Sequence, residues 1–347
     1  MTYKYITIPV IFSLLTALFF ALLIGALLKG PTDISVAQIG DILSERLLGT
    51  SNPNIVDWQR NIIIDIRLPR ALIALFAGAS LALCGLVMQG MFRNPLASPS
   101  VLGVSSGASL GAVIAIYLGA SLFSAWAIPL FAFIGAGISL SVVYRIASSR
   151  GQTSISTLLL SGVAISALNV AAISLLLALS LSNWDVARMI IYWTMGGLDG
   201  RTWDHVLIIL PIVVSGFIAL LFYSKQLDLL LLGEHHALSV GVDVRRTRRN
   251  LLLISTAMVG ASVSVVGGIG FIGLVVPHIL RLILGPSHRY LLPASLLGGA
   301  IALLSADLFL NTVFSEQAIP LGVVTAALGA PFFLFLLIKQ RVTTGNL

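Results

Sequence analysis

Residues 67–108 decide the reading of this chain: Arg67-Leu-Pro-Arg70, a long apolar run, then Met91-Phe-Arg-Asn-Pro-Leu-Ala-Ser-Pro-Ser-Val-Leu-Gly-Val-Ser-Ser-Gly-Ala108. Two apolar segments are joined by a short turn of Arg, Asn, Pro and Ser, and the second opens on glycines. A bilayer core of about 30 Å takes roughly 20 apolar residues per helical span. The first run is therefore a membrane crossing, and the turn returns the chain into the bilayer.

The composition extends that reading to the whole chain. Of 347 residues, 58% are hydrophobic and 10% charged, whereas soluble domains carry about 25% charged residues. Apolar runs near 6–28, 70–92, 101–120, 124–147, 157–181, 204–224, 250–268, 271–284, 291–312 and 319–338 predict an all-α polytopic membrane protein of about ten transmembrane helices. The run at 271–284 is short, so it either tilts within the bundle or merges with its neighbour. The run 6–28 exceeds the roughly 7–15 residue core of a signal peptide and is read as a retained span.

An even number of crossings puts both termini on one side, and Lys and Arg choose the side because cytoplasmic loops accumulate them. With the termini inside, the inner set is Lys4, Arg93, Arg145, Arg150, Lys225, Arg245, Arg246, Arg248, Arg249, Arg281, Arg289, Lys339 and Arg341, thirteen of the twenty. Lys29, Arg46, Arg60, Arg67, Arg70, Arg188 and Arg201 fall outside. The formal net charge of +7 is thus a topology signal and no argument for nucleic acid. Cys84, the single cysteine, reads as a small buried residue.

Three extramembrane segments are long enough for a task of their own. Residues 29–69, outside, carry Ile34, Ile39, Ile42, Leu43 and Leu47 at helical spacing behind Asp33, predicting a short amphipathic helix on the membrane surface, as a cover over the helix ends or as a docking element. Asn183 to Trp203 place Trp184, Tyr192, Trp193 and Trp203 as an interfacial belt, broken at Gly196-Gly-Leu-Asp-Gly200, and read as lying across the mouth of the bundle. Residues 225–250, inside, read as two short helices hinged at Gly241, the first with Glu234 and the second with four arginines. A mixed-charge loop of that length in so loop-poor a chain reads as a partner surface.

Small residues recur at intervals of four: Gly103, Gly107 and Gly111; Ala74, Gly78 and Ala82; Ala294, Gly298, Ala302 and Ala306. Such ridges let helices approach closely in lipid, within one chain, along a pathway or at a dimer seam. Pro129, Pro211 and Pro277 mark sites in or beside spans where freed backbone groups need neighbours.

No Gly-x-x-x-x-Gly-Lys-Ser/Thr occurs, so an ATP-driven process requires another chain to hold the nucleotide. Of the thirteen carboxylates, Asp33, Asp41, Glu45, Asp57, Asp65, Asp185, Asp199, Asp204, Asp228, Glu234, Asp243 and Glu316 sit in loops or at span ends. Asp307 alone lies well inside a span, beside Ser305 and near Asn311, and reads as a helix–helix anchor rather than a relay. His205, His235, His236, His278 and His288 have no metal-ligand spacing, so no metal is expected. No nucleophilic triad is visible, and an enzyme reading has no residues to rest on.

Arg67-Leu-Pro-Arg70, Gly78-Ala-Ser-Leu-Ala82, Gln89, Asn94-Pro-Leu-Ala97, Gly103-Val-Ser-Ser-Gly-Ala108, Tyr192-Trp-Thr-Met-Gly-Gly197, Leu232-Gly-Glu234, Gly270-Phe-Ile-Gly-Leu-Val-Val-Pro-His278, Leu321-Gly-Val-Val-Thr325 and Gly329-Ala-Pro331 together resemble the permease subunits of ABC importers for iron chelates, haem and cobalamin. These are the FecCD-type, type II importers, and the match is collinear from about residue 60 to 340. The resemblance implies one transmembrane permease domain over 1–347, with a periplasmic loop at 29–69 and an ATPase-coupling loop at 225–250. It implies a multi-pass protein of the bacterial inner membrane, paired with itself or a paralogous permease, below a periplasmic substrate-binding protein and above two ATPase subunits. ATP and Mg would bind to those ATPases, with no cofactor in this chain.

The resemblance also carries residue roles. Gly233, Glu234, Ala237, Leu238, Gly241 and Arg245 match the segment that seats in the ATPase cleft. Arg67 and Arg70 match positions that face acidic residues of the binding protein, with lipid headgroups as the other reading; a further family arginine is replaced here by Asn311. Asn94, Pro95 and Leu96, with Ser154, Ile155 and Ser156, match the cytoplasmic gate. Gly103, Ser105, Ser106, Gly107 and Gly111 are expected at the pathway or the dimer packing. The implied activity is import of an iron(III)-siderophore or similar chelate, with haem, cobalamin or an oxyanion as other cargoes. An ion-coupled secondary carrier centred on Asp307 is the rival of another class.

Overall fold

The computed structural model describes residues 2–30, 32, 34–48, 55–124, 126–149, 152–315 and 317–344. Asp33, Arg150 and Glu316 lie outside the described residues. The described chain runs α1 (Thr2–Leu28), α2 (Val36–Leu48), α3 (Asp57–Asn61), a π-helical turn (Ile62–Arg67), α4 (Leu68–Phe92), α5 (Val104–Tyr117), α6 (Ala127–Ala147), α7 (Ile155–Leu179), α8 (Trp184–Met195), α9 (Trp203–Phe222), α10 (Ser224–Leu232), α11 (Glu234–Ser239), α12 (Val244–Val266), α13 (Ile272–Leu284), α14 (His288–Val313) and α15 (Leu321–Thr344). A two-residue antiparallel hairpin pairs Ser148–Ser149 with Gln152–Thr153.

Seven of the described helices are long and apolar enough to cross a membrane: α1, α4 with its preceding turns, α6, α7, α9, α12 and α14. The apolar helices α5, α13 and α15 are the remaining three expected spans. The 13 residues of α13 rise only about 20 Å, and the chain reaches it through Gly267 to Gly270 rather than by continuing α12. Non-helical backbone at membrane depth is tolerated only when protein satisfies it; here Val266 O accepts the Gly197 N–H at 2.9 Å.

The core forms around α4. Every residue from Ala77 to Phe92 is buried, as expected of a helix that is apolar on all sides. Its neighbours are α9, α12, α13 and α14, of which α13 and α14 approach closely because α4 presents glycines. A Cβ at Gly78 would strike the Gly299 carbonyl of α14, and one at Gly299 would strike the Gly78 carbonyl. A Cβ at Gly85 would overlap the Gly273 carbonyl of α13. The ridge at Ala74, Gly78 and Ala82 is therefore intramolecular, and its partner Gly299 lies one residue beyond the Gly298 ridge, which faces Val276 and Leu280 of α13.

One alternative is chosen and two expectations are corrected. Ile39 and Ile42 of α2 are buried with Leu27, Ile34, Ile55 and Ile63 in a small core of their own, which makes α2 a cover over the ends of α1 and α4. Trp193 belongs to the main core at 7% exposure, whereas Trp184, Tyr192 and Trp203 remain exposed. The arginines after Gly241 are not on a second short helix; they begin the long span α12, capped by Asp243, whose side chain accepts the Arg246 N–H at 2.9 Å.

Replacing Gly85 by Ala is expected to cost about 1–3 kcal/mol, because the added methyl forces α4 and α13 apart. Gly137→Ala on α6, where a Cβ meets nothing within 4 Å, is expected to be neutral or stabilising by up to about 1 kcal/mol. Thermal unfolding of the two variants in detergent measures the difference, and equal midpoints would contradict the packing.

Candidate functional site

The two ends of the bundle differ in chemistry. At the end where α9 leaves and α12 enters, the chain makes two short helices separated by glycines that a side chain could not replace without strain. Gly233 has φ 119° and Gly241 φ 85°, both in the region that favours glycine. Between them α11 presents Leu238, 52% exposed, flanked by Leu232 at 67% and Val240 at 55%. Ala237 faces inwards and is fully buried. Glu234 opens α11 and accepts from Arg248 Nη2 of α12 at 2.9 Å, so α11 is held on the bundle by a half-exposed carboxylate. Arg245 projects from the first turn of α12 and is exposed. The segment is thus an exposed apolar tip, with Glu234 and Arg245 beside it, at the loop end of the bundle.

The turn after α4 lies against this segment. Arg93 caps α4 with φ 51°, and a Cβ at Gly233 would sit 3.5 Å from Arg93 Nη1. Asn94 then makes a tight turn, its Oδ1 accepting the Leu96 N–H at 2.9 Å and its carbonyl the Ala97 N–H at 3.1 Å. Pro95 is half-buried and Leu96 exposed. The single-turn helix Pro99–Leu102 follows and packs on α7, where Gly162 faces the Val101 carbonyl. Ser154, matched above to a gate, is the N-cap of α7: its hydroxyl accepts the Thr157 N–H at 3.3 Å. Ile155 is half-buried and Ser156 exposed.

Of the small residues expected at a pathway or dimer seam, Gly107 and Gly111 are committed inside the chain. A Cβ at Gly107 would strike Ser139 and the Gly135 carbonyl, and one at Gly111 the Phe131 carbonyl, so this ridge is the α5–α6 contact. Gly103, at φ 75°, opens α5, and its carbonyl accepts from Ser106 Oγ at 3.1 Å. Ser105 is half-buried. Asn169 of α7, which sequence reading passed over, donates to Ser106 Oγ and Ser139 Oγ, each at 3.1 Å, and ties three helices together. A lone Asn in an otherwise apolar span was the available signal, since polar side chains in lipid find partners on neighbouring helices.

At the opposite end both arginines of Arg67-Leu-Pro-Arg70, expected as docking cations, make internal contacts. Arg67 is 6% exposed. It donates to Leu27 O at 2.7 Å, Leu28 O at 2.9 Å and Thr32 O at 2.5 Å, satisfying carbonyls left open where α1 ends. Gly30 makes room, since a Cβ there would lie 2.6 Å from the guanidinium. Arg70 donates from Nε and Nη2 to the buried carboxylate of Asp307 at 2.9–3.1 Å, and from Nη1 to the exposed Asp199 at 2.6 Å. Asn311 Nδ2 donates to Asp307 Oδ2 at 3.2 Å. The pair bolts α4 to α14 between two cavities of about 300 and 260 Å³, both lined by Arg70 and Asn311. Among the described residues no group of three or more His, Cys, Asp and Glu could hold a metal ion.

A model of the FecCD transport family matches residues 14–339. The chain belongs to that family. It is 46% identical over 281 residues, 81% of this chain and 74% of the relative, to the cobalamin import system permease protein BtuC of Halobacterium salinarum. To the hemin transport system permease protein HmuU of Yersinia pestis it is 41% identical over 302 residues, 86% of this chain and 89% of the relative. A chain solved in an inward-facing conformation, of a transporter described as of metal-chelate type, superposes with a TM-score of 0.83 at 32% identity, covering 95% of this chain and 99% of that one. The seven long apolar helices together with α5, α13 and α15 are consistent with ten spans.

Arg70→Met leaves Asp307 buried without its counter-ion, an error worth about 3–5 kcal/mol in folded proteins. The double variant Arg70→Met/Asp307→Leu is expected to unfold at a higher temperature than Arg70→Met alone. Melting curves of the purified variants test this, and additive losses would contradict a direct pair.

Proposed function

We propose that this chain is the membrane permease of an ABC importer that receives a metal chelate, such as an iron(III)-siderophore, from a periplasmic binding protein and releases it to the cytoplasm. The observation that carries the reading is the tip at Gly233–Gly241, which projects Leu232, Leu238 and Val240 beyond the spans of a chain that belongs to a transport family. Two ATPase subunits, holding ATP and Mg, fit that tip. Transport arises by pairing two copies of this permease around a common pathway.

The distribution of charge supports the inner membrane with both termini cytoplasmic. The Gly233 end carries thirteen of the twenty Lys and Arg residues under the ten-span topology, and cationic loops are retained on the cytoplasmic side. Docking of the binding protein on the opposite end rests on the exposed part of Arg70 and on Asp199, because Arg67 is occupied by the end of α1. An ion-coupled carrier would need Asp307 as its relay, and Asp307 is engaged by Arg70 and Asn311. The relatives named for cobalamin and for hemin keep the cargo at the level of a metal chelate.

Glu234→Arg places a cation against Arg248 and is expected to reduce recovery of ATPase subunits with the tagged permease on the order of tenfold, about 1.4 kcal/mol. Uptake of radiolabelled ferric siderophore, hemin and cobalamin by cells with and without the chain reads the cargo. Full ATPase recovery with Glu234→Arg, together with undiminished uptake, would refute the assignment of the tip.

A further inference from the structure

Asp228 sits in the middle of α10, one helix before the tip, and its carboxylate holds the start of another membrane helix. Oδ1 accepts the backbone N–H of His288 at 2.8 Å and the His288 ring at Nδ1 at 2.7 Å, and Oδ2 lies 3.5 Å from Ser287 Oγ. His288 is the first residue of α14, so the carboxylate satisfies an N–H that the helix leaves open and complements the positive end of its dipole. Burial opposes the charge on Asp228, but the bonds from His288 outweigh it and hold the carboxyl below its usual range.

The ring of His288 is completely buried. Its Nε2 has no hydrogen-bond partner and lies against α4, where a Cβ at Gly90 would be 2.7 Å away. Leu227 of α10 reaches the same glycine at 3.5 Å. One side chain is thus wedged among α10, α14 and the last turn of α4. Further along, α4 and α14 are joined by Gly78 against Gly299 and, at the far end, by Arg70 with Asp307.

We propose that the Asp228–His288 contact is a positioning pair that transmits movement of the α10–α11 segment to α4 and α14 as one body, linking ATP hydrolysis at the tip to opening of the pathway. The proposal rests on the importer reading above. The backbone approach at Gly78 and the His288 ring against Gly90 leave little slack for α14 to slide on α4. A push on α11 therefore reaches the Arg70–Asp307 end through close-packed groups, and Asp228 is the polar joint at which the push enters. Removing it leaves every residue of the tip in place while loosening the joint.

The test uses the complete transporter, permease with ATPases, reconstituted with its binding protein, and the chelate that the wild type takes up among ferric siderophore, hemin and cobalamin. The readout is chelate transported per ATP hydrolysed, which a loss of folded protein alone does not move. Asp228→Ala is expected to recover ATPase subunits normally and to lower that ratio at least tenfold. Asp228→Asn, whose amide oxygen accepts the same N–H groups, is expected to restore much of it. Asp228→Glu, which keeps the charge and displaces it by one methylene, serves if the alanine variant does not accumulate, and is expected to fall between. A wild-type ratio in Asp228→Ala or Asp228→Glu, or parallel loss of hydrolysis and transport at constant ratio, overturns the proposal. A wild type that neither retains ATPase nor couples hydrolysis to uptake overturns the importer reading as well, whereas a coupled wild type with indifferent Asp228 variants overturns this proposal alone.

Discussion

Backbone contact between α4 and α14 is the constraint on which the rest of this structure depends. In a bilayer, apolar helices gain little by exchanging lipid for one another, so association requires close van der Waals approach. Gly78 and Gly299 provide it, each occupying the space that the other's side chain would need. Gly85 repeats the device on α13. Four helices then pack around α4, and α4 becomes the most enclosed of the described spans.

The polar groups follow from that packing. Two closely approaching helices can share a buried ion pair only if its geometry satisfies the carboxylate fully, and Arg70 with Asn311 does so for Asp307. Arg67, one turn earlier, closes the end of α1. That end of the bundle is thereby tied from α1 through α4 to α14, with Asp199 as the exposed member of the network, 76% accessible at its side chain. An exposed pair of that kind contributes little to stability.

The other end is organised by glycines rather than charges. Gly233 and Gly241 adopt conformations that let α11 stand off the bundle, and Glu234 returns it to Arg248. The turn at Arg93 to Leu96 lies beside the same glycine, so the loop that follows the central helix and the surface offered to a partner are neighbours. Three-dimensional proximity makes one unit of two motifs that are about 140 residues apart in sequence.

Hydropathy alone carries the number and order of the spans, because a helix must enclose its own hydrogen bonds in lipid and that requires a run of known length. The position of α11 was legible too, since a mixed-charge loop with Leu232-Gly-Glu234 has no place in the bilayer. What the linear pattern leaves open is partnership. The apolar stripe of Ile39 and Ile42 suits a membrane surface and a protein core equally well, and only the proximity of Leu27 and Ile63 chose the core. Arg67 and Arg70 look identical as loop cations, yet one caps α1 and the other reaches Asp307, 237 residues away. The sequence by itself determined which segments are in the membrane, a property of each segment's own transfer energy; only the tertiary structure decided which ridge meets which carbonyl and which charge meets which, because those depend on the distance between segments that the chain brings together last.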